Sequence, residues 1–172
     1  MAAQGEHRTP AQVAEAALAS FATRDPDLVA ANAHPDAVDD VVAIGEFRGR
    51  AAIREFYEEM FEAFPDFEIR PERIIADDAG AAVRWIATGT FDGKPFQGIQ
   101  PTGRRIELPG VDYMEISDGL IRRNTIFYDG ASFARDIGML PARDSAGERA
   151  LLAVFNVRVK LRSLLRRRRA SA

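Results

Sequence analysis

The chain has 172 residues, of which 47% are hydrophobic and 28% are charged, and its formal net charge is -3. This composition is ordinary for a globular protein, and the length predicts one domain with a substantial core plus an appendage. The sequence lacks cysteine, which excludes disulfides, thiolate metal sites and a thiol nucleophile, and its two histidines are too few for a histidine-rich metal centre. No apolar run is long enough to span a bilayer and the first ten residues lack a signal-peptide pattern, so we predict a cytoplasmic location.

The charges are divided unevenly along the chain. Residues 143–172 hold nine basic and two acidic residues, a net charge of about +7, which leaves about -10 on residues 1–142. A domain that binds nucleic acid needs a basic face. We therefore expect no nucleic-acid partner for an acidic domain at residues 1–142, and we treat residues 143–172 as a separate basic tail.

Three helices are predicted in the N-terminal part. Thr9 followed by Pro10 is typical of a helix start, because a hydroxyl caps the free backbone amides and proline fits the first helical position. A second, short helix is predicted from Pro26 to Ala33. A third begins after Gly49 and ends at Pro65, since its apolar residues recur at spacings of three and four. The segment DAVDDVVAIGEF between them indicates a short strand or bend. The inward face of the first helix would consist of Val13, Ala17 and Phe21.

From Asp66 to Asp129 the pattern changes to strands separated by turns. Four stretches rich in β-branched and aromatic residues alternate with turns that contain Gly or Asp: FEIRPERIIADD, AAVRWIATGTF, RRIELPGVDYMEI and LIRRNTIFYD. Both faces of the second stretch carry apolar residues, and we place Trp85 on the buried side. Helices followed by four antiparallel strands predict an α+β fold in which one curved antiparallel sheet wraps around helices.

Five segments, in this order, resemble the SnoaL-like branch of the nuclear transport factor 2-like superfamily, which includes polyketide cyclases and relatives of ketosteroid isomerase. They are HPDAVDD, FRGRAAIREFYEEMFEAFPDF, GTFDGKPFQGIQPTGR, SDGLI and YDGASFARDIGMLP. The resemblance implies a cone-shaped α+β barrel with an apolar cavity, and a homodimer made through the outer face of the sheet. Function is less determined by it, because the same fold serves isomerases, cyclases, epoxide hydrolases and binding modules.

Three residues resemble the steroid-isomerase pattern. Asp40 stands where that family has its proton-shuttling base, and Asp112 where it has the protonated acid of its oxyanion hole. Tyr57 stands where it has a tyrosine of the active-site hydrogen-bond chain. The match is incomplete, because the main oxyanion-hole tyrosine of the family would fall near Ala17.

The resemblance to the cyclase branch points instead to Asp129, because such cyclases place a general acid/base at the end of the last strand. Epoxide hydrolases of this fold use an Asp-Arg-Asp set. Arg84 has no acid two residues away on its strand, so we do not expect that activity.

These acids predict cofactor-free acid/base chemistry, either aldol-type cyclisation or isomerisation, on a small hydrophobic carbonyl compound of polyketide or steroid type. Asp129 or Asp40 would take a proton beside the carbonyl, while Asp112 stays neutral in its apolar surroundings and donates to the enolate oxygen. The alternative is a non-catalytic ligand-binding or interaction module, in which the acids satisfy buried backbone donors. We expect neither a metal nor another cofactor. The substrate-binding residues would be Tyr57, Trp85, Phe56, Phe127 and Met114.

The basic tail is predicted to form an amphipathic helix, with apolar residues such as Leu151, Phe155 and Leu161 along one side and a run of four arginines, 166 to 169, near its end. It would pack on the acidic domain or on a dimer partner, or it would attach to an anionic membrane surface. Nucleic-acid binding by the arginine run is a more distant alternative.

Overall fold

The computed structural model describes residues 8–170, with side chains described for residues 8–163. In this part of the chain, five helices and six strands follow one another. The helices are α1 (Pro10–Phe21), α2 (Pro26–Ala30), α3 (Gly49–Ala63), α4 (Gly130–Asp136) and α5 (Ala146–Ala170). The strands are β1 (Ala33–Val41), β2 (Gly45–Arg48), β3 (Glu68–Ala76), β4 (Gly80–Phe91), β5 (Arg104–Ser117) and β6 (Leu120–Tyr128).

The six strands form one curved, unclosed sheet in the order β2-β1-β6-β5-β4-β3, which confirms the predicted α+β class. The four strands β3 to β6 pair antiparallel, as predicted. One pairing departs from the antiparallel pattern, because β1 pairs parallel to β6. This pairing places β1, which begins before α3 in the chain, beside the last strand of the sheet.

The start of α1 follows from its sequence. The Thr9 hydroxyl accepts a hydrogen bond from the backbone N–H of Gln12, and the Gln12 side chain accepts one from the backbone N–H of Thr9. This reciprocal pair satisfies two amides that the helix itself leaves free. The predicted inward residues Val13, Ala17 and Phe21 are all buried.

The second helix is shorter than predicted, because α2 ends at Ala30 and β1 begins at Ala33. The Asn32 side-chain amide donates to the carbonyl oxygens of Leu28 and Val29, at 3.1 and 3.4 Å, and so satisfies acceptors that a continuing helix would use. Pro35, which has no backbone N–H, then lies where the register of β1 against β6 shifts.

The core lies between α3 and the concave face of the sheet. Alternate residues of β5 face inward, and the inward set consists of Ile106, Leu108, Gly110, Asp112, Met114 and Ile116. The inward face of α3 consists of Ile53, Phe56, Tyr57, Met60 and Phe61. The inward faces of β5 and α3 are apolar except at Asp112 and Tyr57, which place two polar groups in an otherwise apolar interior.

The helix α5 contacts the domain near its start, where the Glu148 carboxylate accepts from Arg135 Nη2 at 3.2 Å. Every side chain from Arg149 to Ser163 is exposed. The prediction that the tail packs on the acidic domain of its own chain is therefore wrong for these residues, because none of the described residues of the domain covers them. The side chains of Leu164, Leu165 and the arginine run 166–169 lie outside the described residues. Within the described part, no helix is long and apolar enough to cross a membrane.

Candidate functional site

A cavity of about 90 Å³ lies between α3, the end of α1 and the concave face of the sheet. Its lining is almost entirely apolar and aromatic, with Tyr57 and Asp112 as buried polar groups. The lining approaches the surface at Ile44, Tyr128 and Phe133, which are only partly buried. The other lining residues are Phe21, Val41, Phe56, Met60, Phe64, Phe67, Ile69, Trp85, Ala87, Phe96, Ile106, Leu108 and Ile126.

Asp112 projects from the middle of β5 into this interior and is 5% exposed. Trp85 Nε1 donates to one carboxylate oxygen at 2.8 Å, and Asn124 Nδ2 donates to the other at 3.3 Å. Burial raises the pKa of Asp112 to about 6, and these two donors oppose the rise because they stabilise the ionised form. Asp112 is thus a carboxyl group that changes its charge close to neutral pH.

A second buried acid lies beside Tyr57. Asp39, on β1, is 4% exposed, and the Tyr57 hydroxyl donates to Asp39 Oδ2 at 3.0 Å. Burial raises the pKa of Asp39 to about 7; the hydrogen bond from Tyr57 opposes this rise, and the negative charge of Asp112 adds to it. Near neutral pH, Asp39 is protonated in a large fraction of molecules.

The three groups act on one another electrostatically. Burial is the main cause that holds the pKa of Tyr57 well above its usual value, and the negative charges of Asp39 and Asp112 add to this effect. Tyr57 therefore keeps its proton and remains a hydrogen-bond donor over the whole physiological range. Among the described residues, no group of three or more His, Cys, Asp and Glu side chains is placed to hold a metal ion.

Asp40, the predicted base, faces away from the cavity, and Asp39 takes the inward position. The Asp40 carboxylate accepts from Arg123 Nη2 at 2.7 Å, and Arg123 also donates to Glu46 at 2.9 Å. Successive residues of a strand point to opposite faces, so only one of two adjacent aspartates can reach the interior. The placement of Asp40 at the cavity is corrected accordingly.

Asp129 also lies outside the cavity. It is the N-cap of α4, where its carboxylate accepts from the backbone N–H groups of Ala131 and Ser132 and from the Ser132 hydroxyl. Its side chain is 52% exposed, and the hydrogen bonds from Ser132 lower its pKa. A carboxylate held in the ionised form by a helix end does not accept a proton readily, and the expectation that Asp129 faces the cavity is corrected.

The predicted binding residues fall into two groups. Trp85, Phe56 and Tyr57 line the cavity. Met114 is buried on the same face of β5 as Asp112 but is not part of the cavity wall. Phe127 lies on the outer face of the sheet, where it is 49% exposed, so its predicted contact with a ligand in the cavity is corrected.

Two buried polar residues beside Tyr57 and Asp112, namely Asp39 and Asn124, are missing from the predicted site, because the prediction assigned only Asp40 of the adjacent pair to it. Asn124 is buried on β6 beside Asp112, and its Oδ1 atom has no hydrogen-bond partner within the described part of the chain. Alternation could have found Asn124, because it shares a strand face with Ile126. Asp39 shares a face with Ala37 and Val41, but the opposite face of β1 also carries valines, so no local signal identifies Asp39.

This arrangement is suited to proton transfer at a carbon atom. A carboxyl group that titrates near neutral pH and a hydroxyl that stays protonated share the wall of an almost entirely apolar cavity. The first can exchange a proton with a bound molecule, and the second can donate to an oxygen on which negative charge develops.

Comparison with known proteins agrees with this fold. The profile of the SnoaL-like polyketide cyclase family matches residues 11–137. A candidate SnoaL-like polyketide cyclase from Jannaschia sp. CCS1 is 23% identical, with a TM-score of 0.66 over 80% of this chain and all of that one. IdmH, a candidate polyketide cyclase from Streptomyces antibioticus, is 21% identical, with a TM-score of 0.64 over 76% of this chain and 99% of that one.

A third structure shows that the fold extends to a different chemistry. An epoxide hydrolase of M. tuberculosis, described as LEH-like, is 20% identical, with a TM-score of 0.61 over 84% of this chain and 95% of that one. No curated protein sequence matches the chain. The structural likenesses show the fold alone at these identities, whereas the family profile covers most of the sequence, and the chain therefore belongs to the SnoaL-like polyketide cyclase family.

Proposed function

We propose that the protein binds a small apolar carbonyl compound in the cavity and catalyses a cofactor-free cyclisation or isomerisation by acid/base chemistry. The observation that supports this role most directly is the presence of Asp112 and Tyr57 in the wall of one otherwise apolar cavity. An acid in such surroundings gains a pKa near the working pH, which is where a general base is most effective.

Asp112 is the proposed base. Trp85 and Asn124 donate to its two oxygens and favour the carboxylate, while burial keeps its pKa at about 6. At pH 7 the group is largely ionised and still basic enough to accept a proton from the carbon beside a carbonyl. The sequence-based hypothesis gave Asp112 the opposite role, that of a neutral donor, and the two donors around it favour the reassignment.

Tyr57 is the proposed donor to the carbonyl oxygen, and Asp39 supports it. When Asp39 is ionised, the Tyr57 hydroxyl donates to it, at 3.0 Å. When Asp39 is protonated, it can donate to the Tyr57 oxygen instead, which frees the tyrosine proton for the ligand. Asp39 is not part of the cavity wall, so it acts through Tyr57 as a positioning residue.

The proposed reaction begins when Asp112 removes a proton from the α-carbon and the electrons of the C–H bond move to the carbonyl oxygen. Tyr57 donates a hydrogen bond to the resulting enolate oxygen. In an aldol-type closure, the enolate carbon then attacks a second carbonyl of the same molecule, whose oxygen receives the proton held by Asp112. In an isomerisation, Asp112 returns the proton to a different carbon.

A second function, ligand binding without catalysis, is favoured by the size of the cavity. Its volume of about 90 Å³ is well below the 300 to 1,000 Å³ that is typical of sites for drug-sized ligands. A multi-ring molecule enters only if the wall residues move, so the structure as it stands accommodates a small ring or the carbonyl end of a larger molecule. A protein that only binds would catalyse no exchange of α-protons, whether or not the Asp112 carboxylate is present.

A small cyclic ketone tests the chemistry without knowledge of the natural substrate. Cyclohexanone in D₂O would be followed by NMR, since abstraction of an α-proton appears as exchange for deuterium. We expect Asp112→Asn to lower the enzyme-dependent exchange rate by about two to four powers of ten. Asp129→Asn is the matched control and should stay within about threefold of the wild type, because Asp129 lies outside the cavity. Equal rates for wild type and Asp112→Asn would refute catalysis by Asp112.

The pH dependence of the exchange rate tests the two roles separately. Asp112 must be ionised, so the rate should rise through about pH 6, and Asp39 must be protonated, so the rate should fall above about pH 7. Asp39→Asn keeps a donor beside the Tyr57 oxygen but does not titrate. We expect this variant to retain the rise near pH 6 and to lose the fall above pH 7; an unchanged profile would contradict the supporting role of Asp39.

A further inference from the structure

The helix α5 exposes an unusual amount of apolar surface. Its large apolar side chains between residues 151 and 161 are each about half exposed or more, and Phe155 reaches 62%. Isolated exposed apolar residues are normal, but contiguous ones mark an interaction surface. The members of this apolar segment are Leu151, Leu152, Val154, Phe155, Val157, Val159 and Leu161.

The apolar segment is interleaved with and followed by positive charge. Arg158, Lys160 and Arg162 are exposed between and after its last members, and the sequence continues with four more arginines at positions 166 to 169. No acidic residue occurs after Glu148. The helix thus offers apolar and cationic groups side by side, which is the combination that an anionic lipid surface attracts.

The apolar side chains surround the helix, so the prediction that they lie along one side of an amphipathic helix is wrong for the described part of α5. Ala150 to Phe155 occupy six consecutive positions, which is more than one and a half turns, and all six are exposed. The flat surface of one protein partner would cover only one side of such a segment. The acyl and headgroup boundary of a bilayer surrounds an embedded helix on several sides, and the long stems of Arg and Lys let their charges reach the headgroups.

The acidic domain does not prevent this approach. A helix of 25 residues is roughly 37 Å long, and the contact of α5 with the domain that the described side chains show lies near its first turn. The Debye length at physiological salt is about 8 Å, so the charges of the domain act only weakly on any part of α5 that lies farther than this from its surface. The exposed apolar residues also distinguish α5 from a helix that binds only nucleic acid, because basic side chains alone are enough to bind the phosphates.

We propose that α5 is a docking helix for anionic lipid headgroups, and that it holds the domain at a membrane surface. The helix lies in the interface and does not span the bilayer, since its charged residues and its mean hydropathy exclude a membrane span. An apolar carbonyl compound partitions into membranes, so this location would bring the cavity near its ligand. The docking function itself does not depend on catalysis.

Vesicle sedimentation of the full-length protein tests this proposal. Vesicles of phosphatidylcholine alone are compared with vesicles that contain 30% phosphatidylserine, each at 0.1 M and 0.5 M NaCl. We expect binding to the anionic vesicles at low salt, weaker binding at high salt and little binding to the neutral vesicles. Failure to bind the anionic vesicles, or equal binding to both compositions, would overturn the proposal.

Two variants of α5 separate its charge from its apolar surface. We expect the triple variant Arg158→Gln, Lys160→Gln, Arg162→Gln to weaken binding about a hundredfold, which corresponds to about 1 kcal/mol for each basic residue. Leu151→Ser with Phe155→Ser should also lower binding at least tenfold. The matched control replaces three exposed arginines of the domain, Arg70, Arg73 and Arg84, by glutamine and should bind within about threefold of the wild type.

The competing occupants give different results. If α5 instead covers a second copy, Leu151→Ser with Phe155→Ser would abolish self-association in analytical ultracentrifugation while anionic vesicles fail to bind even the wild type. If α5 instead binds nucleic acid, the wild type would bind a DNA duplex and would not bind anionic vesicles. The triple glutamine variant would lose the DNA binding, and the double serine variant would keep it. Either result would overturn the lipid proposal.

Discussion

Asp39 and Asp40 are neighbours on β1 and point to opposite faces of the sheet, so their surroundings differ completely. Asp40 has a cationic partner, Arg123, and is partly open to water. Among the described residues, Asp39 has no cation beside it, and it is buried with Tyr57 as its side-chain partner. Burial without a counter-charge is what makes Asp39 hold its proton up to about pH 7.

A pH-dependent stability follows from this raised pKa. The folded protein binds a proton at Asp39 that the unfolded chain, with a normal aspartate pKa, has already released above about pH 4. Stability should therefore decrease as pH rises from about 4 to about 7. Between pH 5 and pH 8, the loss attributable to Asp39 is roughly 2 to 3 kcal/mol.

The variant Asp39→Asn should remove most of this loss, because the amide carries no charge at any of these pH values. Urea denaturation at pH 5 and pH 8 measures it, and the variant should gain stability relative to the wild type on going to the higher pH. Asp129→Asn is the control, since an exposed acid with a lowered pKa is ionised throughout that range. A wild-type stability that does not change between pH 5 and pH 8 would contradict the raised pKa of Asp39.

At the scale of single residues, the sequence predicted one inward acid and missed the other. Asp112 lies on the same face of β5 as Ile106, Leu108, Met114 and Ile116. The alternation of apolar and polar residues along this strand is therefore enough to place Asp112 inside. On β1 both faces carry one aspartate among apolar residues. Asp40 shares a face with Val38 and Val42, and Asp39 shares the other face with Ala37 and Val41. Only the pairing of β1 with β6 decides which face is covered, and that contact is not local in sequence.

At the scale of elements, the pair β4 and β5 holds the candidate base in position. Gly110 lies directly opposite Trp85, and a Cβ atom at residue 110 would approach the Trp85 ring to 2.2 Å. The missing side chain is what allows the indole to lie across β5 and donate to Asp112. The glycine is therefore a packing requirement of the site.

The variant Gly110→Ala should displace the Trp85 ring and lengthen its hydrogen bond to Asp112. We expect a loss of roughly 1 to 3 kcal/mol in stability from overpacking, measured by urea denaturation, together with a higher pKa of Asp112 in NMR titration. Glu107→Ala, on the exposed face of the same strand, should change stability by less than about 0.5 kcal/mol. Unchanged stability and an unchanged Asp112 pKa in Gly110→Ala would disprove the close contact.

The elements themselves were largely predictable where the local pattern is strong. The cap at Thr9, the long apolar face of α3 and the turns between β3 and β6 are all encoded by residues close in sequence. The end of α2 was predicted three residues too late, because the Asn32 side chain ends the helix through contacts that no simple pattern signals. The parallel pairing of β1 was missed for a similar reason, since a strand does not encode its partner locally.

At the scale of the whole molecule, the outer face of the sheet carries an apolar patch. Val111, Tyr113 and Phe127 are exposed there on adjacent strands, with Val111 opposite Phe127 and Tyr113 opposite Thr125. Such a patch in the centre of a sheet face suits a self-complementary contact between two copies. We propose that the homodimer implied by the family resemblance forms through this patch.

Tyr113→Glu should weaken this homodimer by at least tenfold, because it places two charges at the centre of a symmetric contact. Light scattering coupled to size-exclusion chromatography over a range of protein concentrations measures the change. Glu55→Lys, on the exposed side of α3, should leave the mass unaffected. If Tyr113→Glu and wild type have the same mass at every concentration, the dimer does not use this patch.

The position of Trp85 has one practical consequence. It is the sole tryptophan of the chain, and its indole N–H contacts the carboxyl group proposed to move the proton. All indole emission thus originates in the cavity wall, free of background from elsewhere in the molecule. Ionisation of Asp112 or arrival of a ligand alters the field at this ring, so the wild-type protein carries its own optical reporter and needs no added dye.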